Sequence, residues 1–323
     1  MTTRIFTLLA FAAGLSAEST LLILHKADSS LGFYTLDGKM TARVAVGKHP
    51  HEMVRSVDGR YLYITDNGTM RIEQAGAGGN TVSIVDLAAR KKIGEIPLGN
   101  YRRPHGIDLD PKTGRLVVSA ELPDQLLLID PSKRQVARTF DSKGKTAHMA
   151  VFGPGGRFAY VCHSNSANIA AVDLASGAVT LIPGGARPEG SVLSKDGKTV
   201  YVVNRESAGI TIIDTASNKA TGQIATGKGP VRIAQTPDGK TLVYGLMHDE
   251  AVGFADAASR KEFGQVKIKG NPVSMSVSPD GKRAYCSAEE IDTVYVISVP
   301  ERKILKSFKT TAGYHPDPVM EIQ

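Results

Sequence analysis

The sequence predicts an all-β chain folded as a closed seven-bladed β-propeller, and three observations carry that prediction. A turn glycine recurs at Gly59, Gly114, Gly156, Gly197, Gly239 and Gly281, with spacings of 55, 42, 41, 42 and 42 residues. Each interval reads as four strand-like runs rich in Val, Ile, Thr and Tyr. The two ends of the chain hold the parts of one further copy. Four strands in a repeat of roughly 40 residues are the pattern of a propeller blade.

The module is clearest from Arg187 to Ile224. Strand A follows Pro188. The Asp196-Gly197-Lys198 turn suits a tight hairpin because Gly tolerates positive φ. Strand B is Thr199 to Asn204, strand C is Ile210 to Asp214, and strand D is Ala220 to Ile224. Six complete modules account for residues 50 to 310. Leu21 to Leu24, Phe33 to Leu36 and Thr41 to Val46 then supply strands B, C and D of another. Its strand A is expected in Pro316 to Ile322. Pairing the two ends closes the ring and removes the exposed edges of an open array.

Tyr201-Val202-Val203-Asn204, Pro237-Asp238-Gly239-Lys240 and Ile212-Ile213-Asp214 resemble the YVTN-type propeller repeat. The resemblance extends over nearly the whole chain after its first residues. It implies the fold. It carries over no catalytic residue, because propellers of this kind serve as surface proteins, binding modules and enzyme-associated domains.

Composition narrows the function classes. Of 323 residues, 41% are hydrophobic and 22% charged, a globular balance. There is no Trp, so the repeated Trp-Asp of WD40 blades is absent. The net charge of +7 comes from Lys and Arg scattered in turns with few aromatics among them, which argues against a nucleic-acid surface. Residues 1–17, with Arg4 before the apolar run Ile5 to Leu15 and the small Ser16-Ala17, match a secretory signal peptide. Residues 18–323 are then expected to form one domain. It would be periplasmic or secreted and monomeric, with no membrane span after cleavage. Cys162 and Cys286 fall in well-separated modules, so no disulfide is expected between them.

Function is sought where the copies differ. The start of strand A and the end of strand B share one face of the disc, around the channel. The residue after the proline opening strand A, replaced by Ala147 before His148, reads Asp317, His51, His105, His148, Glu189, Val231, Val273 around the ring. A second column, the Asn position of the motif at the end of strand B as counted from the turn glycine, reads His25, Asp66, Glu121, His163, Asn204, Leu246, Ala288. All eight histidines map to this face, and the polar residues concentrate on one side of it.

Three chemistries fit these columns. Clustered imidazoles and carboxylates bind zinc, copper or nickel. The candidate ligands are His51, His105 and His148, with His163, Glu121, His25 and Glu189 as further ligands or supports. His105 or His148 would alternatively act as a general base, oriented by Glu189 or Asp66. Cations before and after the proline column (Lys48, Arg103, Lys145, Arg187, Lys228 and Arg232) would attract an anionic ligand, with Asp66, Asn204 and Asp317 as polar contacts. Ten extra residues between strands B and C of the second blade, around residues 69–80, could form either a lid or an inert surface insertion. The leading expectation is an exported binding or interaction protein with a small-molecule, anionic, metal or protein partner at the channel mouth. The alternatives are a lactonase-, lyase- or hydrolase-like enzyme and a cell-surface adhesion propeller.

Overall fold

The computed structural model describes residues 19–323, so the expected signal peptide lies outside the described residues. Seven four-stranded antiparallel sheets form the ring. In blade 5 the strands are Pro188–Leu193, Thr199–Asn204, Gly209–Asp214 and Lys219–Ala225, labelled A to D from the channel outward. Blade 1 joins the termini. Pro316–Ile322 is its strand A and pairs with Thr20–His25, which is followed by Ser30–Thr35 and Met40–Ala45. Blade 7 departs at its inner edge, where strand A shrinks to Ser276–Val277 and a single bridge joins Pro272 to Ala288. Among the described residues no helix is long and apolar enough to cross a membrane.

The hairpins follow from local chemistry. In blade 5 the Ser194 hydroxyl donates to Asp196 Oδ1 (2.7 Å), which also accepts from Lys198 N (3.0 Å), while Gly197 takes φ +73°. The same Ser/Thr-x-Asp-Gly arrangement recurs at Ser56, Thr236 and Ser278.

The core is distributed around the ring. Buried apolar side chains form seven clusters, and each cluster is shared by two adjacent blades. Successive strand residues point to opposite faces. A middle strand such as Thr199–Asn204 therefore gives Val200 and Val202 to the blade 4 side, and Tyr201 and Val203 to the blade 6 side. This explains why strands B and C read as continuous apolar runs. Cys162 and Cys286 belong to different clusters, and both are buried free thiols.

The seventh interface depends on the closing strand. Val319 packs there with Leu21, Ile23, Tyr285 and Val294. The buried Glu321 carboxylate accepts from Tyr285 Oη (2.5 Å) and Arg283 Nη2 (3.0 Å) of blade 7. Deleting Pro316–Gln323 exposes this cluster and removes the buried carboxylate that Arg283 and Tyr285 share. We expect a loss of at least about 3 kcal/mol, or roughly 5–10 °C in a chain of this size. Thermal denaturation with exchange mass spectrometry on strand Thr20–His25 checks this, and unchanged melting contradicts ring closure as a source of stability.

Candidate functional site

The channel mouth is built by a repeated irregularity. Strand A of blades 2 to 6 shifts register near its start, between Pro50 and Met53, Pro104 and Ile107, Ala147 and Ala150, Pro188 and Ser191, and Pro230 and Ile233. A bulge breaks the alternation of a strand and re-aims its side chains. Hence both residues after the bulge can reach the channel, as Val231 and Arg232 do in blade 6, whereas Met149 of blade 4 packs into an interblade cluster. Hydroxyls on strand B satisfy the freed backbone. Thr65 Oγ1 accepts from Glu52 N (3.1 Å) and donates to the carbonyl of His105 in the next blade (2.8 Å). Ser119 repeats this, accepting from Gly106 N (2.9 Å) and donating to the His148 carbonyl.

Three of these bulges place His51, His105 and His148 in an arc. Their ring centroids are 4.6 Å and 3.9 Å apart in sequence order. Each ring is held from behind through Nδ1. His51 Nδ1 lies 3.0 Å from the His49 carbonyl, and His148 Nδ1 lies 3.2 Å from the Glu189 carbonyl. A carbonyl only accepts, so Nδ1 carries the proton and Nε2 keeps its lone pair. His105 Nδ1 meets Glu121 Oε1 at 2.8 Å, and its Nε2 receives Arg232 Nη2 at 3.4 Å, which gives the same tautomer. Burial holds His51 and His105 well below the usual imidazole range and lowers His148 to about 4. All three are neutral acceptors at neutral pH.

Ion pairs floor the mouth. Arg232 of blade 6 reaches across the channel to Glu52 of blade 2 (2.8 Å). Lys26, 6% exposed, bridges Glu289 of blade 7 and Asp317 of blade 1, each at 3.1 Å. Burial pushes Asp317 up to about 7, with Lys26 opposing that rise, and Glu121 is likewise raised to about 7 against the pull of Arg103. Above this floor lies a cavity of about 330 Å³, lined by five cations and five carboxylates together with the three histidines.

The insertion of blade 2 roofs the cavity. Met70, Arg71, Ile72 and Glu73 line it from above. Arg71 pairs with Glu290 of blade 7 (3.1 Å), and Glu73 pairs with Arg187 of blade 5 (2.6 Å), so the segment spans the mouth. Arg103 anchors its base through the carbonyls of Ile72 (2.7 Å), Arg71 and Gln74 (3.3 Å each). Gly76 and Gly78 take positive φ at the far end, where residues with a Cβ are strained. Of the two expectations for this insertion, the lid describes its placement.

The sequence-derived columns divide. Asp317, His51, His105, His148 and Glu189 come together around the cavity, with Arg187 and Arg232. Four members of the second column point into the ring instead. Asp66 accepts from Gly47 N, Thr81 and Ser83 (3.0, 2.7 and 2.8 Å), and Asn204 accepts from Gly185 N (3.0 Å) and donates to Thr211 (2.9 Å). These side chains tie down the loop entering strand A, and a Cβ at Gly47 would lie 2.0 Å from the Asp66 carboxyl carbon. His163 bonds Asn168 and Ser142, and His25 bonds Ser30 and Tyr34, so both rings are used within the framework.

Glu121 was misplaced by the count from the turn glycine. Ala120, not Glu121, pairs with Pro104, as Asn204 pairs with Pro188. In blade 3 the hairpin glycine sits one position later, bonding Asp110 four residues back where Gly59 bonds Ser56 three back. Glu121 thus belongs with the next residues along strand B, Lys26, Arg205, Met247 and Glu289, which line the cavity. Sequence reasoning missed that column and Glu52. The alternation of strand B, applied one residue past the Asn position, would have found it.

Among the described residues, no three His, Cys, Asp or Glu side chains converge as metal ligands. The arc does supply three imidazole donors with anchored Nδ1 atoms, but Arg232 already occupies the lone pair of the middle ring. The donor set in this arrangement does not fit a zinc, copper or nickel centre.

No protein-family model matches the chain, and no curated protein matches it. Solved structures do. Hydrazine synthase of Kuenenia stuttgartiensis is 22% identical with a TM-score of 0.73, over 87% of this chain and 92% of that one. A functionally unknown protein from Desulfotomaculum acetoxidans is 14% identical with a TM-score of 0.78, over 94% and 98%. The dihydro-heme d1 dehydrogenase NirN, in complex with DHE, is 15% identical with a TM-score of 0.67, over 91% of this chain and 64% of that one. Likeness at these identities establishes the propeller fold alone.

Because His148 stays neutral when folded down to about 4, while the unfolded ring protonates near 6.5, its contribution to stability is lost as pH falls through that window. In His148→Gln this proton uptake is gone. The variant's stability relative to the native protein should rise by about 1 kcal/mol per pH unit on acidification through the window. Urea denaturation at neutral pH and at about pH 5 measures it, and a difference that does not change with pH contradicts the neutral assignment.

Proposed function

We propose that this chain is an exported binding propeller of the YVTN type that holds a small polar molecule in the lid-covered mouth of its channel. The observation that carries the reading is the lid pinned by Arg71 and Glu73 over the arc of three Nδ1-anchored imidazoles. A roofed cavity with converging polar groups is a common form of a small-ligand site. NirN was solved in complex with DHE, and ligand binding by a propeller-containing protein agrees with this reading without indicating the same ligand. Export rests on residues 1–17 of the sequence, and the YVTN assignment on its motifs.

An enzyme is the second reading, with His105 or His148 as base and Glu189 as its partner, 3.6 Å from His148 Nε2. It is less favoured because a base held near 4 is weak at neutral pH. Purified protein that turns over a substrate, with loss of turnover in His148→Ala, would replace the binding reading.

The lid pins are exposed pairs, each worth less than about 1 kcal/mol. In Arg71→Ala combined with Glu73→Ala, melting should move by no more than a few degrees. Dissociation of a ligand found by thermal-shift screening should accelerate about tenfold, since opening the lid sets release. Stopped-flow measurement checks this. An unchanged dissociation rate contradicts the lid's role, and a broad screen with no stabilising compound contradicts the binding reading itself.

A further inference from the structure

The cavity's charges leave little room for a charged guest. Lys26 is paired with Glu289 and Asp317, Arg232 with Glu52, and Arg205 with Glu189 at 3.4 Å. Arg187 is paired with Glu73 of the lid, and Arg71 of the lid with Glu290. An anion entering here would have to displace a carboxylate of the chain, leaving it desolvated and unpaired at a cost above that of the pair it broke. A cation meets Lys26 and Arg232 on the floor. The most deeply buried hydrogen-bonding capacity left open is that of acceptors. Asp317 is 3% exposed, gives Oδ2 to Lys26, and has no hydrogen-bond partner for Oδ1 among the described residues. His51 and His148 line the same cavity and keep Nε2 as a lone pair, that of His148 3.6 Å from Glu189 Oε2. Above the raised titration of Asp317, where its pair with Lys26 is fully ionic, these are acceptors awaiting O–H or N–H donors. Apolar side chains also line the cavity, with Val231, Val273 and Met247 in the wall and Met70 and Ile72 in the roof.

We propose that the ligand is uncharged and rich in hydroxyl groups, of the polyol or monosaccharide class. Asp317 Oδ1 and the imidazole Nε2 atoms of His51 and His148 accept its hydroxyl protons, and its C–H face lies against the Val231–Val273 wall. The inference rests on the binding reading above and narrows it. A ring of monosaccharide size suits a cavity of about 330 Å³. Acceptors fixed by Lys26 and by the backbone carbonyls need no reorganisation when the hydroxyls arrive.

The test is calorimetric titration of the full chain with three probe sets: glucose, galactose and myo-inositol; inorganic phosphate and citrate; and zinc or copper chloride alone. A neutral hydroxyl compound should bind, and Asp317→Asn should weaken it about tenfold or more, the loss expected for one buried hydrogen bond to a charged group. If Asp317→Asn does not fold, His51→Phe keeps the ring and removes Nε2, and the same loss is expected. Binding of phosphate or citrate that is lost in these variants overturns the ligand class while leaving the binding site standing. Binding of the metal alone overturns it in the same way. Neutral binding unaffected by either variant places the ligand elsewhere and overturns the assignment. Silence from all three sets overturns both the ligand class and the binding reading.

Discussion

A bulge near the start of the inner strand is the constraint on which the mouth depends. Seven strands converge on the channel, and a regular strand would turn every second side chain away from it. The bulge lets two consecutive residues turn inward, and only certain pairs fit. Where neighbouring backbones come close, the second residue is glycine. A Cβ at Gly106 would lie 2.5 Å from Ala150 N, and one at Gly190 would lie 2.8 Å from the Val231 carbonyl. Where the channel is open, the second residue is long and charged, as with Glu52 and Arg232. The first residue is then free to be histidine in three successive blades. The imidazole arc and the ion pair beneath it are two products of one backbone feature.

Much of the fold was legible in the sequence because the fold is periodic. The turn glycines locate the hairpins, and the leftover strands at the ends predict the closing pair, which forms with Pro316–Ile322 as its strand A. The first column was legible for the same reason, since a proline marks its start in six copies. The second column was not. Its count depended on a glycine that shifts by one position in blade 3, and in a strand an error of one residue reverses the direction of the side chain. That shift misplaced Glu121 alone. Asp66, His163 and Asn204 were counted correctly and fasten loops because their column faces the framework, while the next residues, Lys26, Arg205 and Glu289, reach the cavity. The partners of Arg232 and Lys26 could not be read at all. They lie on other blades, 180 to 291 residues away, and only the closed ring brings them together. The insertion of blade 2 was visible as extra length, but its landing points on Glu290 and Arg187 belong to blades 7 and 5.

The electrostatics of the mouth differ from what a list of its charges suggests. Counted in sequence, the cations make an anion trap. In the folded ring each cavity cation meets a carboxylate, and burial moves the remaining titratable groups toward neutrality. Histidines are lowered and Asp317 and Glu121 are raised, both because water is excluded. Buried pairs of this kind contribute little net stability against apolar packing, which the seven interblade clusters already supply. Their effect is to fix orientation. Lys26 holds Asp317, Glu121 holds His105, and two carbonyls hold His51 and His148, so the acceptors face the cavity before anything binds.

That preorganisation can be read directly from the nitrogens of the three rings. Two-dimensional 15N–1H correlation of the histidine side chains, assigned with His51→Gln, His105→Gln and His148→Gln, reports which nitrogen carries the proton. The account predicts neutral rings at neutral pH, protonated on Nδ1 and bare on Nε2, in all three histidines. Imidazolium signals, or protons on Nε2, would contradict it, because the cavity would then present donors where acceptors are required.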